Sequence, residues 1–423
     1  MTRSARHLAA AVAATFCLVV SSFLVVACGG GGGGGGRPSA SPTVATPPPP
    51  LSETTTFPAD TQAELQSALD RVMKKDHIPG VIIGIWAPGK GEWVHAQGLA
   101  KVPPGKAEPY PPTPDAPAAR PMTLDDRFRI ASNTKTFTGE TVLILAEQGV
   151  FSLDDPIAKY VEGVPNGGKI TIRQLLNMTA GVYSFTEDPS FDRRYTRDQM
   201  MWMTPQQMIA ITRRHGPDFA PGTDWYYSDT NYEILGLLIE NVTGRDAADV
   251  IMQTVCEPLG LSGTSFPTTP VMPPPFSHGY VRDGAWPGVK TSSGQAWQDR
   301  TLSNPAVPWT AGAMVSTLRD VRTWVEALAT GKLLTPEMFG EQCKWVEIPG
   351  SDGRFLYGLG MSQLDGFRGH TGGIFGYNTI MLHDPVEHAT IVIFANSSTN
   401  ASGETSDILV EVLKIVWPER LPK

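Results

Sequence analysis

The sequence has little of several features that would define other classes of protein. Of its 423 residues only four are cysteines, and two of these lie within the first 28 residues. Beyond residue 30 no apolar run approaches the length of a membrane span, which excludes a polytopic membrane protein. There is no block of Lys or Arg, and the net charge is −8, which argues against nucleic acid as the main partner. Hydrophobic residues make up 41% of the chain, enough for a substantial core.

The one long apolar run lies at the N-terminus. Arg3 and Arg6 precede it, and it extends over residues 8–27. It ends in Val-Val-Ala-Cys, which resembles the lipobox of bacterial lipoproteins, where the Cys becomes the lipid-bearing first residue of the mature chain. We therefore predict a lipoprotein signal peptide over residues 1–28 with Cys28 lipidated; an uncut signal anchor is the alternative. Both interpretations export the body and hold it at the cell membrane, on the cell-wall or periplasmic side.

Residues 29–58 are predicted to be a disordered tether. They begin with eight consecutive glycines and continue with a Ser/Thr/Pro-rich segment, neither of which can form a core. About 30 residues of such a chain have an r.m.s. reach of roughly 30 Å. Export would leave Cys256 and Cys343 as the cysteines of the body, and the sequence leaves open whether they pair.

Residues 59–420 are predicted to form an α/β body. A helix begins near Asp60, and the pattern is mainly helical over about residues 129–329. The other predicted elements are strands at 81–86, 92–97, 367–370, 377–382 and 390–395, and a last helix at 406–416. Because strands occur at both ends of the body, we predict one sheet built from both chain ends, about 59–128 and 330–420, flanked by helices and interrupted by a helical domain.

The first motif with chemical meaning is Ser132-Asn-Thr-Lys135. It follows extended residues and leads into a helical pattern, so Ser132 is predicted at a helix N-terminus. Positions i and i+3 share a helix face, so the Lys135 amine can reach the Ser132 hydroxyl. The amine can act as the base for this hydroxyl if burial lowers its pKa. By itself, Ser-x-x-Lys is also typical of a helix cap with a solvated lysine.

Two further motifs follow along the chain. Tyr227-Ser-Asp229-Thr-Asn231 lies on a loop between a Pro-Gly turn and a helix, where an Asp or Asn would ordinarily cap the helix. His370-Thr371-Gly372-Gly373 ends a predicted strand, and its glycines allow another backbone to lie close, as when a substrate pairs along the edge.

In this order, the three motifs resemble those of the penicillin-recognising serine hydrolases. The resemblance is closest to the group of class C β-lactamases, secreted D-alanyl-D-alanine carboxypeptidases and related esterases, and it covers roughly residues 60–418. It also includes Leu-Asp-Asp-Pro at 153–156, Thr-Ala-Gly at 179–181 and Ala-Gly-Ala-Met at 311–314. It implies a β-lactamase/transpeptidase-like fold, with an antiparallel sheet and an inserted helical domain.

The resemblance also implies a role for each motif residue. Ser132 would be the acylated nucleophile, Lys135 its proton acceptor and Tyr227 a second acid/base, with His370 where many relatives have Lys. The oxyanion hole would be the backbone N–H groups of Ser132 and Gly373. The substrate-binding positions would be Asp229, Asn231, Thr371 and Gly372. This acyl transfer needs no metal or cofactor.

Three departures from the family pattern bear on the substrate. Asp229 stands in the place of an Asn, and a carboxylate there cannot donate a hydrogen bond and tends to raise the pKa of Lys135. Ser362 follows the Gly-Leu-Gly-Met segment where related carboxypeptidases have an Arg, which Arg368 would have to replace. Gly373 stands in place of a Thr. We therefore expect D-Ala-D-Ala-type peptides or small esters and amides as substrates, including peptidoglycan stem peptides, and give β-lactams less weight.

Other classes fit the sequence less well. The alternative is a penicillin-binding-like cell-wall lipoprotein with a mainly binding or scaffolding role, but such a protein would not need the whole set of motif residues. The G-x-S-x-G nucleophile elbow of α/β-hydrolases is missing. His383 and His388 are predicted in a solvated hairpin turn and not as metal ligands.

Overall fold

The computed structural model describes residues 55–103, 119–282, 297–398 and 403–420. The predicted signal peptide, its Cys28 and most of the predicted tether lie outside these residues. Residues 55–58 are described, and Phe57 is buried with its backbone N–H donating to the carbonyl oxygen of Glu92. These four residues therefore belong to the folded body and not to the tether.

The described residues form fourteen strands and eleven α-helices. The strands are β1 (Gly80–Ala87), β2 (Gly91–Lys101), β3 (Arg120–Pro121), β4 (Phe128–Arg129), β5 (Tyr280–Arg282), β6 (Trp297–Asp299), β7 (Val315–Ser316), β8 (Val346–Glu347), β9 (Phe355–Tyr357), β10 (Ser362–Leu364), β11 (Phe367–Ile374), β12 (Tyr377–Asp384), β13 (Ala389–Ala395) and β14 (Ser397–Ser398). The helices are α1 (Ala59–Asp76), α2 (Thr134–Glu147), α3 (Ile172–Leu176), α4 (Pro189–Arg197), α5 (Pro205–His215), α6 (Asp229–Thr243), α7 (Ala247–Ile251), α8 (Trp309–Gly312), α9 (Leu318–Thr330), α10 (Pro336–Gln342) and α11 (Glu404–Val416).

A nine-stranded antiparallel sheet organises the body. Its spatial order is β3-β2-β1-β13-β12-β11-β10-β9-β8, so β1 from the start of the body pairs with β13 from its end. The central strands β1, β12 and β13 are buried along their whole length, which requires cover on both faces, and β1 and β13 are rich in β-branched residues. The predicted antiparallel sheet built from both chain ends is confirmed.

Helices cover this sheet. α1 and α11 pack against one another, and α11 lies on β12 and β13, whereas α9 packs on β1, β11, β12 and β13. The apolar residues that predicted the first helix, among them Leu65 and Leu69, are buried. The predicted helical part extends to residue 329 and so includes α9, which ends at Thr330. In the structure α9 packs on the sheet.

The intervening region positions the site. α2 is buried on nearly every side and packs against α6 and α8. This region also contains β5, β6 and β7, which belong to a three-stranded and a two-stranded sheet that the sequence did not predict. Strands of two or three residues are too short to show a period-2 pattern, and their partners are distant in the chain.

Two further expectations are settled by the fold. Cys256 and Cys343 are both free. His383 lies on β12, not in a solvated turn: it is 4% exposed, its Nδ1 is 2.9 Å from Thr390 Oγ1, and burial lowers its pKa to about 4. In the described part of the chain, no helix is both long enough and apolar enough to cross a membrane.

Candidate active site

Ser132 lies in a single 3₁₀ turn, Ala131–Asn133, that leads directly into α2. The turn is strained, because Ala131 has a φ of 48°, in the left-handed region that residues with a Cβ rarely adopt. Ala131 and Asn133 are buried, whereas Ser132 between them is partly exposed. The turn thus presents one hydroxyl at the N-terminus of a buried helix, as predicted.

Strand β11 lies against this turn. A Cβ atom at Gly372 would be 2.2 Å from the carbonyl oxygen of Ile130. Thr379 of the neighbouring strand β12 connects the sheet to the turn. Its Oγ1 donates to the Ile130 oxygen at 3.1 Å and accepts from Asn133 Nδ2 at 2.8 Å. A glycine at position 372 therefore permits the close approach of the strand to the nucleophile.

Lys135 occupies the centre of the site. It is fully buried, and its Nζ donates to Ser132 Oγ at 3.1 Å, to Asp229 Oδ1 at 2.7 Å and to the backbone oxygen of Ala311 at 2.8 Å. Three acceptors match the three N–H donors of an ammonium, which has no lone pair. The predicted contact between Lys135 and Ser132 is present, and its geometry is that of a protonated lysine.

Two opposing effects set the pKa of Lys135. Burial lowers it, whereas the Asp229 carboxylate and then Tyr227 raise it, and the net pKa lies above the ordinary value for lysine. The expectation that Asp229 favours the ammonium is therefore confirmed. Lys135 must lose this proton before it can accept the proton of Ser132.

Asp229 begins α6 but its side chain does not cap that helix. Oδ1 binds Lys135, and Oδ2 accepts a hydrogen bond from Thr186 Oγ1 at 3.1 Å. The side chain is 22% exposed. Asp229 is thus the counter-ion of Lys135, with one edge open to solvent.

A second acidic residue lies one turn further along α6. Glu233 is fully buried, and neither carboxyl oxygen makes a well-formed hydrogen bond to a described residue, although the Ala311 N–H interacts with it. Burial and then Asp229 raise the pKa of Glu233 well above its ordinary value. Its burial therefore favours the protonated, uncharged form of the carboxyl group.

Tyr227 lies two residues before the start of α6, beside the same ammonium. Lys135 Nζ is 5.0 Å from the centre of its ring, and the Tyr227 side chain interacts with the side chains of Ser132 and Lys135. Burial raises the pKa of Tyr227, so the group is a neutral phenol that can donate a proton.

His370 lies on β11 and is buried. Its Nδ1 is 2.5 Å from the carbonyl oxygen of Thr371, which can only accept, so Nδ1 carries the hydrogen and Nε2 accepts from the Tyr357 hydroxyl at 3.0 Å. Burial lowers its pKa to about 4. The Tyr227 and His370 ring centres are 6.2 Å apart. His370 therefore stands beside the site as a neutral group, and it does not replace the charge of the family's Lys.

The end of β11 is open where a substrate would approach. Gly373 is exposed, and a Cβ there would meet only Asn378 Oδ1, at 3.4 Å. Gly372 is buried against the nucleophile turn, and Thr371 is half-buried. Space for a ligand is therefore available beside the backbone of Gly373, the position expected to contribute to the oxyanion hole.

Asn231 does not belong to this cluster, contrary to our expectation. It is 1% exposed, and its amide donates to Met178 Sδ at 3.3 Å. Residues two apart on a helix point to different sides, so Asn231 cannot share the face of Asp229. Arg368 likewise does not replace the missing arginine, because its guanidinium donates to the Ala329 oxygen of α9 and packs on Phe339.

Four residues that the motifs do not include help to form the site. Thr186 donates a hydrogen bond to Asp229, and the backbone oxygen of Ala311 accepts one from Lys135. Tyr357 hydrogen-bonds His370, and Glu233 lies one helical turn after Asp229 on α6. Only weak sequence signals point to these residues. A Glu at i+4 from Asp229 is detectable from spacing, whereas Thr186 is brought to the site by the tertiary fold. The described residues contain no group of three or more His, Cys, Asp or Glu that could hold a metal ion.

The sequence profile of the Beta-lactamase family matches residues 65–413, so the chain belongs to this family. Among curated relatives, Protein flp of Staphylococcus aureus (strain COL) is 26% identical over 346 residues, covering 80% of this chain. The putative penicillin-binding protein PbpX of Bacillus subtilis (strain 168) is 24% identical over 292 residues, covering 68% of this chain. The matches span 63% and 66% of these relatives' own lengths.

Solved structures show the same fold. A D-stereospecific amidohydrolase from Streptomyces sp. has a TM-score of 0.70 and 30% identity, with 84% of this chain and 98% of that chain covered. A D-amino acid amidase from Ochrobactrum anthropi SV3 has a TM-score of 0.69 and 25% identity, with 86% and 100% covered. The chain therefore has the β-lactamase/transpeptidase fold and belongs to a superfamily of serine hydrolases.

Proposed function

We propose that this chain is a serine hydrolase that forms an acyl-enzyme on Ser132 and acts on small amides and esters, among them D-aminoacyl amides or D-Ala-D-Ala-type peptides. One observation supports the proposal most directly. The buried Lys135 hydrogen-bonds both the partly exposed Ser132 hydroxyl and Asp229, and it lies beside Tyr227. The amidase names of the two structural relatives favour amides and esters.

In the proposed reaction each group has one step. Once Lys135 is neutral, it accepts the proton of Ser132 as Oγ bonds to the acyl carbon. Tyr227 donates a proton to the departing amine or alcohol as the C–N or C–O bond breaks, and it recovers that proton from Lys135. The backbone N–H groups of Ser132 and Gly373 stabilise the oxyanion. Water then attacks the ester in the reverse sequence and releases the acid.

Intact-mass analysis tests this proposal. The protein is incubated with a fluorophosphonate, a penicillin and a p-nitrophenyl ester, and adducts are mapped by peptide sequencing. We expect adducts on Ser132 and none in Ser132→Ala, whose unfolding free energy should fall by only about 1–2 kcal/mol, because the hydroxyl caps no helix but is one of the three acceptors of Lys135. An adduct on another serine would refute the assignment.

A second function is favoured by the protonation of Lys135. Acylation of Ser132 is slow when Lys135 is held as an ammonium. Slow acylation suits a penicillin-binding-like lipoprotein with a mainly binding or scaffolding role. The relative named as a putative penicillin-binding protein supports the same alternative. Stoichiometric penicillin binding without turnover of any ester or amide would favour it.

We also propose that the body is exported and held at the membrane by lipidated Cys28. The support is the sequence of residues 1–28 alone. Peptidoglycan stem peptides would then be accessible substrates.

A further inference from the structure

We propose that Met178 is a positioning residue for Tyr227, and that it acts by accepting hydrogen bonds on its thioether sulfur. The inference rests on the proposed acyl-enzyme chemistry, in which Tyr227 protonates the leaving group. It adds a residue that lies outside the three motifs and that determines how well the site handles substrates with poor leaving groups.

The backbone of Met178 is unusual. Its φ is 66°, in the left-handed region that residues with a Cβ rarely adopt. Seven described residues other than glycine have such a φ, and five of them are His, Asn or Asp at half-buried or exposed positions. The two others are Ala131 and Met178, and both are buried. Ala131 directly precedes Ser132, which suggests that Met178 also has a function at the site.

Met178 binds the residues on both sides of Tyr227. The N–H of Tyr226 donates to the backbone oxygen of Met178 at 3.1 Å, and the N–H of Ser228 donates to its Sδ at 3.5 Å. Sulfur is a larger and weaker acceptor than oxygen, which accounts for the longer contact. The main chain of Tyr227 is therefore held at both ends by one residue.

The same sulfur accepts a second hydrogen bond. Asn231 Nδ2 donates to Met178 Sδ at 3.3 Å, and the Asn231 N–H donates to the backbone oxygen of Ser228 at 3.3 Å. Met178, Ser228 and Asn231 are all at most 1% exposed, so water does not compete for these donors. Asn231 thus acts at a distance from the site, by holding the Met178 side chain against the segment that carries Tyr227.

The position of Met178 explains why its backbone is left-handed. It lies two residues after the last residue of α3, where such a residue commonly reverses the chain. Glycine is the usual residue there because it has no Cβ. A glycine at this position would relax the backbone but would supply no sulfur. The side chain is therefore present at a conformational cost, as expected if its acceptor is used.

Loss of the sulfur would leave buried donors without an acceptor. Met178→Leu changes the side-chain volume little, so the surrounding packing should survive. The N–H of Ser228 and the amide of Asn231 would remain buried and unpaired, and each would carry its full desolvation penalty. The segment would move toward other acceptors or water, and Tyr227 would move with it.

A displaced Tyr227 affects some substrates more than others. An alkoxide or an amide anion is a poor leaving group, so it needs the phenolic proton of Tyr227 as the C–O or C–N bond breaks, whereas p-nitrophenolate leaves without protonation. A misplacement of about 1 Å can cost on the order of a hundredfold in rate. The position of Tyr227 is therefore reported by the ratio of kcat/KM for a methyl ester to kcat/KM for a p-nitrophenyl ester of the same acid.

The test measures this ratio with the two esters of 3-phenylpropanoic acid. We expect it to fall at least tenfold in Met178→Leu, because kcat/KM falls for the methyl ester and stays within threefold of wild type for the p-nitrophenyl ester. Tyr227→Phe removes the proton donor itself and sets the lower limit of the ratio. A ratio in Met178→Leu equal to that of wild type would overturn the inference.

Met208→Leu is the matched control. Met208 is as fully buried as Met178, but it lies within α5, and no described residue donates a hydrogen bond to its sulfur. This variant removes the same thioether from an apolar environment, so the ester ratio should stay within twofold of wild type. An equal fall in Met208→Leu and Met178→Leu would reduce the effect to general packing and contradict the proposed role.

Met178→Gln separates hydrogen bonding from packing. The Gln side-chain oxygen can accept from both donors, so the ester ratio should return to within threefold of wild type. A role in packing alone predicts the opposite order, because Leu is closer to Met in polarity; a lower ratio for Gln than for Leu would therefore count against us. If Met178→Gln does not fold, the comparison of Met178→Leu with Met208→Leu still decides.

The outcomes distinguish this inference from the proposed function. If Tyr227→Phe lowers the ester ratio and Met178→Leu does not, only the role of Met178 is overturned. If no ester acylates Ser132 in wild type, or if Tyr227→Phe leaves the ratio unchanged, the proposed chemistry fails and this inference fails with it.

Discussion

The close approach of β11 to the nucleophile turn leads to a sharp prediction for Gly372→Ala. A Cβ at this position would lie 2.2 Å from the Ile130 oxygen and 2.5 Å from Thr379 Oγ1, so ordinary contact, which begins at 3.4 Å, requires a displacement of more than 1 Å. That displacement strains the hydrogen bonds that Thr379 makes to Ile130 and Asn133. Two weakened hydrogen bonds at about 1 kcal/mol each, with about 1–3 kcal/mol for overpacking, give a destabilisation of about 3–5 kcal/mol.

Gly373→Ala provides the matched control on the next residue. Its Cβ would meet only Asn378 Oδ1, at 3.4 Å, which is ordinary contact. Urea denaturation should therefore show a change within about 0.5 kcal/mol for this variant, typical of a surface substitution. Its rate of fluorophosphonate labelling should stay within tenfold of wild type, whereas Gly372→Ala should lose at least a hundredfold, because the backbone beside Ser132 moves. Equal stability and equal labelling in the two variants would refute the argument from close approach.

Three further predictions follow from charges and from the N-terminal motif. Asp229→Asn removes the carboxylate that raises the pKa of Lys135, so the acidic limb of kcat/KM for an amine-free ester should move to lower pH. An unchanged acidic limb would mean that the ionisation of Lys135 does not control it. Burial raises the pKa of Glu140 to about 8, so the folded protein keeps a proton that the unfolded chain loses above about pH 4.5, and stability falls as pH rises between these values. Glu140→Gln should therefore be more stable than wild type at pH 8, by on the order of 4 kcal/mol, and nearly equal to it at pH 4.5, as measured by urea denaturation. A gain that is the same at both pH values would show that ionisation is not the cause. Cys28→Ala should release the protein from the membrane fraction or leave an unprocessed precursor, and membrane-bound protein of mature length without Cys28 would contradict the lipoprotein prediction.

Local spacing was enough to predict part of the site. Ser132 and Lys135 are separated by one helical turn, and a helix places them in contact whatever the rest of the fold does. The strands of the central sheet were predictable because β1, β12 and β13 are long apolar segments and because β1 and β13 are rich in β-branched residues. Gly372 was noted as a place of close backbone approach, and the structure shows that the approaching backbone is the nucleophile turn itself.

Other features could not be read from spacing. Asn231 was expected to bind substrate because it is near Asp229 in sequence, but the pitch of α6 turns it toward Met178. His383 was expected in a solvated turn because its neighbours have turn composition, but β12 continues through it. In both cases the side chain's surroundings depend on where an element ends or which face it presents.

The sequence by itself determined the family, through the resemblance of its three motifs to those of known relatives. It also determined the antiparallel sheet made from both chain ends and the identity of the Ser132–Lys135 pair, since these depend on periodicity and short-range spacing. Only the tertiary structure decided the charge state of that pair. Lys135 and Asp229 are 94 residues apart. Their 2.7 Å contact, the third acceptor from Ala311 and the burial of Glu233 nearby arise from the packing of α2, α6 and α8. A pKa depends on burial and on charges a few ångströms away, and both are properties of packing that no local pattern encodes.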